Sequence, residues 1–297
     1  MKTHHHGVDV NQHHAPRVID AHHHVWDLST RDQPWITGPA LEPLRRSFGL
    51  DELRPQTEAA GVDATVVVQT VCVPEETPEL LALAAADPLA AGVVGWTDLT
   101  APDIADALAD LQGGHGGSHL VAIRHQVQGE PDPAWLLRTE VRRGLLAVGV
   151  AGLAYDLVVR PDQLPAATAA AASLPGVTFI LDHLGKPLIA AGGLEPWARH
   201  VRTLAALPNT VAKLSGLFTE ASWHTWSAAD LAPYVDVAMD AFGPRRLMFG
   251  SDWPVCTLAA DYARVLDTTR ALLSDLSSHE RAAVLGGNAA RVYQLDG

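Results

Sequence analysis

The chain has 297 residues, 47% apolar and 19% charged, a balance that gives a folded protein with a substantial core and not a disordered one. Its formal net charge of −13 argues against nucleic acid as a partner, because such binding rests on Lys and Arg neutralising phosphate. No apolar run approaches the roughly 18 residues that span a membrane, and Cys72 and Cys256, the only cysteines, imply no disulfide framework, so a cytoplasmic protein with free thiols is expected.

Residues 1–16 are polar and rich in histidine, and are expected to be a loosely held arm; the folded domain is expected over 17–297. Val18 and Ile19 then open a strand that runs into Asp20, His22, His23 and His24. In an extended strand residues two apart face the same way, so His22 and His24 aim two imidazoles at one point while His23 turns away. Residues 27–44, rich in Trp, Pro and Gly, read as a long loop, and loops of that length in compact domains are commonly functional.

From there strands and helices alternate. A helix is predicted over 51–60, a β-branched strand over 64–70, a helix over 78–86 and a strand over 92–96. A helix over 103–111 carries Ile104, Leu108 and Leu111 at helical spacing. A strand follows over 120–125, a helix over 134–146, a strand over 149–155 and an Ala-rich helix over 163–174. Strands over 177–183, 211–215 and 246–252 alternate with helices over 195–207 and 228–242. Helices over 259–274 and 278–294 complete the chain.

Strands that are apolar throughout belong to parallel sheets covered on both faces. Eight β–α units in about 250 residues predict an α/β fold, a (β/α)8 TIM barrel in one domain. An open doubly wound sheet is the alternative, but no Gly-x-Gly-x-x-Gly follows the first strand. Barrels of this kind keep their chemistry at the C-terminal strand ends. There the chain places His22 and His24, Arg124 and His125, Tyr155, Asp182 and His183, Lys213 and Ser215, and Asp252. Trp26, Trp35, Trp96 and Trp253 fall at strand ends or in the loops that follow, where flat rings suit the apolar face of a sugar.

These stretches resemble a known family. Ile19-Asp20-Ala21-His22-His23-His24-Val25-Trp26-Asp27 is similar to the first-strand signature of the amidohydrolase-related barrels. Pro34-Trp35-Ile36, the run from Arg124 to Asp132, Leu153-Ala154-Tyr155-Asp156-Leu157 and Leu181-Asp182-His183-Leu184-Gly185-Lys186-Pro187 resemble its sugar-lactonase branch. So do Lys213-Leu214-Ser215-Gly216-Leu217 and the run from Arg246 to Cys256. The resemblance covers nearly all of 18–290. That branch includes L-fucono- and L-rhamnono-lactonases and 2-pyrone-4,6-dicarboxylate lactonases, and so implies hydrolysis of a cyclic ester.

The resemblance also has a departure. Metal-bridged members take a Lys or Glu from strand four and a His from strand five. Strand four here ends in Arg124-His125, and strand five, over 150–158, holds no histidine. A binuclear centre is therefore not expected. A single zinc on His22, His24, His183 and Asp252 is the metal the resemblance allows, and the branch includes members that work without one.

Opening a lactone needs a base for the attacking water, a polarised carbonyl and a proton for the departing ring oxygen. Asp252 is the expected base. His22, His24 and His183 are expected to polarise the carbonyl, as donors or through the zinc. Arg124, His125, Trp26, Trp35, Tyr155 and Trp253 are the expected substrate contacts. A dicarboxylate lactone calls for several Arg clamps; with one well-placed Arg, a neutral sugar lactone of a six-carbon deoxy sugar fits better. Two alternatives stand beside this reading: a zinc-dependent decarboxylase or amide hydrolase on the same barrel, and a non-catalytic sugar-acid binder.

Overall fold

The computed structural model describes residues 16–295, so all but Pro16 of the expected arm lies outside the described residues. Eight parallel strands follow one another around a single sheet in the order β1 to β8, each hydrogen-bonded to the next in sequence. They are β1 (Ile19–His23), β2 (Ala64–Val68), β3 (Ala90–Gly95), β4 (Leu120–His125), β5 (Ala154–Leu157), β6 (Phe179–Leu181), β7 (Thr210–Leu214) and β8 (Leu247–Phe249). The helices are α1 (Leu50–Ala60), α2 (Glu76–Ala86), α3 (Ile104–Gly113), α4 (Thr139–Val150), α5 (Leu164–Ser173), α6 (Trp197–Ala205), a single turn α7 (Leu217–Glu220), α8 (Ala228–Phe242), α9 (Tyr262–Leu272), α10 (Ser278–Ala282) and α11 (Asn288–Val292). The TIM barrel expected from the alternation is the fold observed.

Two cores hold it. The outward faces of the strands pack against the helices. Inside, Ile19, Ala64, Val66, Ala154, Ile180, Val211 and Met248 form a separate apolar cluster with Ala289, Tyr293 and Leu295 from the C-terminal segment. That segment closes the N-terminal end of the barrel. The remaining interior, toward the C-terminal end, is polar.

Besides shortened strands, such as β6 and β8 against the expected 177–183 and 246–252, three elements differ from the sequence reading. The helix expected over 134–146 divides at Arg138 into a short 3-10 turn, Trp135–Leu137, and α4. The strand expected over 149–155 begins only at Ala154, because α4 continues through Gly149 and Val150. Val150 has β propensity but is 81% exposed at the helix end, where packing does not hold it to a strand. The last helix, expected over 278–294, is interrupted by a π turn, Ala283–Gly287, between α10 and α11. A Cβ on Gly286 would lie 2.0 Å from the carbonyl oxygen of Arg17, so a side chain there would push the C-terminal segment off β1.

The seam between β1 and β8 is not an ordinary ladder. It closes by His24 N–H donating to Trp253 O (2.7 Å) and Asp252 N–H donating to His22 O (2.8 Å). Lower down, the Asp20 carboxylate accepts from the N–H groups of Ser251 (2.8 Å) and His22 (3.1 Å) and from the Tyr262 hydroxyl (3.0 Å). A fully buried side chain thus replaces a missing run of sheet bonds.

Candidate active site

Two local distortions aim the site. In β1 the register against β2 passes from Asp20–Thr65 to His23–Val67, so three steps on one strand match two on the other. Such a bulge reverses the alternation of faces. Ala21 joins the interior apolar cluster, and yet His22 beside it also faces inward. His22 and His24 meet with their Nε2 atoms 3.2 Å apart, while His23 turns away to pair its Nε2 with the Thr65 hydroxyl at 2.8 Å.

The second distortion follows β6. His183, Leu184, Gly185 and Lys186 all hold φ between 49° and 71°, a left-handed turn that only glycine adopts without cost. Strict alternation would send Asp182 and His183 to opposite faces; this turn brings both into the barrel. Two contacts hold it: Trp197 Nε1–H donates to Leu184 O at 2.7 Å, and Lys186 N–H donates to His183 O at 2.8 Å. Gly216 lies against the His183 ring, where a Cβ would come within 2.4 Å of Nδ1.

Asp252 closes the constellation. Its Oδ1 lies 3.4 Å from His24 Nε2, 3.7 Å from His22 Nε2 and 3.9 Å from His183 Nε2. Burial pushes this carboxyl up, but the facing imidazoles, His183 foremost, outweigh it and hold the group ionised, below the usual carboxylate range. Burial drives the His22 imidazole well below its ordinary value and lowers that of His183 to about 4, so both rings are neutral near pH 7.

Partners assign the ring protons. His24 Nδ1 faces Val68 O at 2.7 Å, and a carbonyl only accepts, so His24 carries its proton there and leaves Nε2 bare. His22 Nδ1 faces the Lys213 ammonium at 3.1 Å and so accepts, which puts the His22 proton on Nε2.

Beneath the histidines lies a charged floor. Lys213, with no exposed surface, pairs with Asp156 at 2.5 Å and with Asp182 at 3.0 Å. Burial raises Asp182, but Lys213 and His22 overcome this and hold it well below the usual range. Asp156 in turn accepts from the Tyr293 hydroxyl at 2.8 Å, which ties the floor to the C-terminal segment. Arg124 spends its guanidinium on this frame: Nη1 on Asp182 Oδ2 at 3.0 Å, Nε on the Gln69 side chain at 2.9 Å, and Nη2 on the Gln69 carbonyl.

Above the floor opens a pocket of about 190 Å3. That is below the roughly 300–1,000 Å3 of drug-sized sites, a room for one small ring. His24, His183 and Asp252 line its base, Trp35 one wall, and Gln126, Gln128 and Lys186 the rim. Gln126 and Gln128, in the loop after β4, and Lys186, readable as solvated surface, were not among the expected contacts. Arg124 reaches this pocket, but its donors are already engaged.

Four expected contacts lie elsewhere. Tyr155 is fully buried and faces the helices, edge-on to Phe179; Asp156 takes the inward position on β5. His125 turns outward from Arg124, stacks on Trp135 at 4.3 Å and pairs with Glu130 at 2.8 Å. Trp26 packs edge-on against Trp35 and Phe48 and lines a different cavity, of about 710 Å3, beside α1 and α2. That larger cavity contains none of the His22, His24, His183 and Asp252 set. Trp253 is 1% exposed beneath Phe48, and its carbonyl serves the seam.

A family profile described as amidohydrolase matches residues 19–295. The chain belongs to the amidohydrolase family. Among curated relatives of this amidohydrolase, an L-fucono-1,5-lactonase of Burkholderia multivorans is 42% identical over 93% of the chain and 96% of its own length. Another L-fucono-1,5-lactonase, of Burkholderia ambifaria, is 38% identical over 94% of the chain and 96% of its own length. A solved amidohydrolase of Burkholderia multivorans with bound zinc superimposes with a TM-score of 0.89 at 40% identity, covering 94% of this chain and all of that one.

The donor set of this amidohydrolase fits a single ion. Two ligands of a tetrahedral zinc at ordinary bond lengths lie about 3.3 Å apart. His22 Nε2 to His24 Nε2 is 3.2 Å, and His24 Nε2 to Asp252 Oδ1 is 3.4 Å. His22, His183 and Asp252 also offer donor atoms all within 4.8 Å of one another. For His22 to ligate through Nε2 its proton must move to Nδ1, where Asp182 Oδ1 at 3.4 Å stands to accept it.

Proposed function

We propose that this amidohydrolase hydrolyses a sugar-acid lactone, of the L-fucono-1,5-lactone type, with Asp252 as base and His22, His24 and His183 around it. The observation that carries the reading is the convergence of three imidazoles on one ionised carboxylate at the base of a one-ring pocket. The names of the two curated relatives support the substrate class.

The proposed chemistry follows from which atoms accept and which donate. Asp252 Oδ1 is an acceptor at the base of the pocket, and a water that donates one proton to it keeps a lone pair for the carbonyl carbon. As that oxygen bonds to carbon, Asp252 takes a proton. His183, whose Nδ1 accepts from the Ser215 hydroxyl (2.9 Å), is proposed to stabilise the oxyanion through Nε2–H, with His22 behind it donating to His24. Collapse breaks the bond to the ring oxygen, which leaves with the proton held by Asp252, and the product is the open hydroxy acid. Arg124, Lys213 and Asp182 are proposed to position the rings, and Trp35 to cover the sugar ring.

A single zinc held by His22, His24, His183 and Asp252 would supply Lewis-acid polarisation of the carbonyl. The zinc in the 40%-identical structure supports such a site. No helix of the described residues is long and apolar enough to cross a membrane; we place the enzyme in the cytoplasm, acting on a small-molecule substrate. A panel of aldono-1,5- and 1,4-lactones, followed by acid release with a pH indicator, tests the function. Turnover well above spontaneous opening supports it, and none on any lactone removes it.

A further inference from the structure

Lys186, at the rim of the pocket, belongs to a charged pair that the hydrolytic step does not use; its partner Glu220 stands behind it and is not among the residues that line the pocket. Lys186 lines the pocket and pairs through Nζ with Glu220 Oε1 at 2.5 Å. Lys186 comes from the left-handed turn after β6, and Glu220 from α7, the single turn after β7. Both side chains are less than a third exposed. Among the described residues neither side chain has another polar partner, so two ammonium protons and most of the carboxylate lone pairs remain free. Lysine at φ 53° is strained, and strain of this kind collects where a side chain must be aimed.

We propose that Lys186, held in place by Glu220, reads a hydroxyl group of the substrate ring. This rests on the lactonase reading and deepens it. A hydroxyl both donates and accepts. Lys186 therefore donates to the hydroxyl oxygen through an ammonium proton that Glu220 does not take, while Glu220 acts as a positioning residue that fixes where Nζ points. A ring lacking that hydroxyl leaves the Lys186 ammonium short of an acceptor in a half-buried place, and that penalty is the source of selectivity. Lys186 lies three residues from His183 on the same turn, so the contact also fixes the ring relative to the carbonyl-polarising histidine.

The test compares the wild type with Lys186→Met and Glu220→Gln on L-fucono-1,5-lactone and on unsubstituted δ-valerolactone. The ratio of kcat/KM for the hydroxylated to the plain lactone is expected to fall at least tenfold in each variant, mainly through KM. The double variant is expected to lose little more than either single one, because one contact is removed twice. An equal loss on both lactones, or no change in the ratio, overturns the proposal. Calorimetric binding of L-fuconate, compared with 5-hydroxypentanoate, gives a readout that does not need turnover. If the wild type opens no lactone, the lactonase reading falls, while an unchanged preference for L-fuconate in Lys186→Met would separately overturn the hydroxyl contact.

Discussion

At the residue scale, the site depends on small groups in fixed places. Asp252→Asn removes the base while keeping the shape, and kcat/KM is expected to fall by about 10²–10⁴ with the melting temperature little changed, as steady-state kinetics and thermal melts will show. Gly216→Ala acts at one remove. Its Cβ would sit 2.4 Å from His183 Nδ1, at a φ of 64° that alanine tolerates poorly. A displacement of that kind is expected to cost on the order of 10²-fold in kcat, measured against the intact enzyme. The spacing of His22 and His24 made their meeting legible in sequence. Arg124 and His125, Tyr155 and Asp156, and Asp182 and His183 were each adjacent pairs of plausible site residues. Which member of a pair faces inward depends on strand parity, and the sequence carries no marker for where parity is broken. Lys186 was legible as a residue and illegible as a site for the same reason: its backbone is left-handed without being glycine.

At the element scale, the order of strands and helices was plain from apolar runs and turn residues, while boundaries at Val150 and Ala154 were set by packing. The β1–β8 seam could not be read from strand patterns, because beyond two backbone bonds it is made by a side chain. Asp20 satisfies two backbone N–H groups, those of His22 and Ser251, and with them fixes the strands that carry His22 and Asp252. Asp20→Ala leaves both N–H groups buried without an acceptor, at about 1–3 kcal/mol each. Denaturant unfolding is expected to show a loss of that size, and Asp20→Asn, which keeps an acceptor oxygen, a smaller one. Equal stability of wild type and Asp20→Ala would mean that the seam closes without it.

At the scale of the whole molecule, many titratable groups are buried, and their shifts set the response to acid. Burial lowers His23 to about 3 and His183 to about 4, and takes His22 well below its ordinary value. Below pH 6.5 the unfolded chain therefore takes up protons on these rings that the folded chain refuses, and stability falls with falling pH. Burial raises Asp20 and Asp156 to about 6, which works the other way between pH 6 and 3.8, since there the folded chain holds the extra protons. Burial raises Glu76 as well, but Asp182 and Asp252, held below the usual range, add to the loss from the three rings, and the net is a loss toward acid. His23→Gln, which preserves a partner for Thr65, is expected to lessen the loss in melting temperature between pH 7 and pH 5; a loss equal to that of the wild type would contradict the assignment.

The central claim concerns what the convergence on Asp252 does to a lactone. The most direct measurement is the rate of acid release from L-fucono-1,5-lactone, corrected for spontaneous opening, for wild type and Asp252→Asn side by side. The account predicts rapid catalysed opening by the wild type and near-background opening by the variant at full folded content. Background rates from both, or equal catalysis by both, would contradict it.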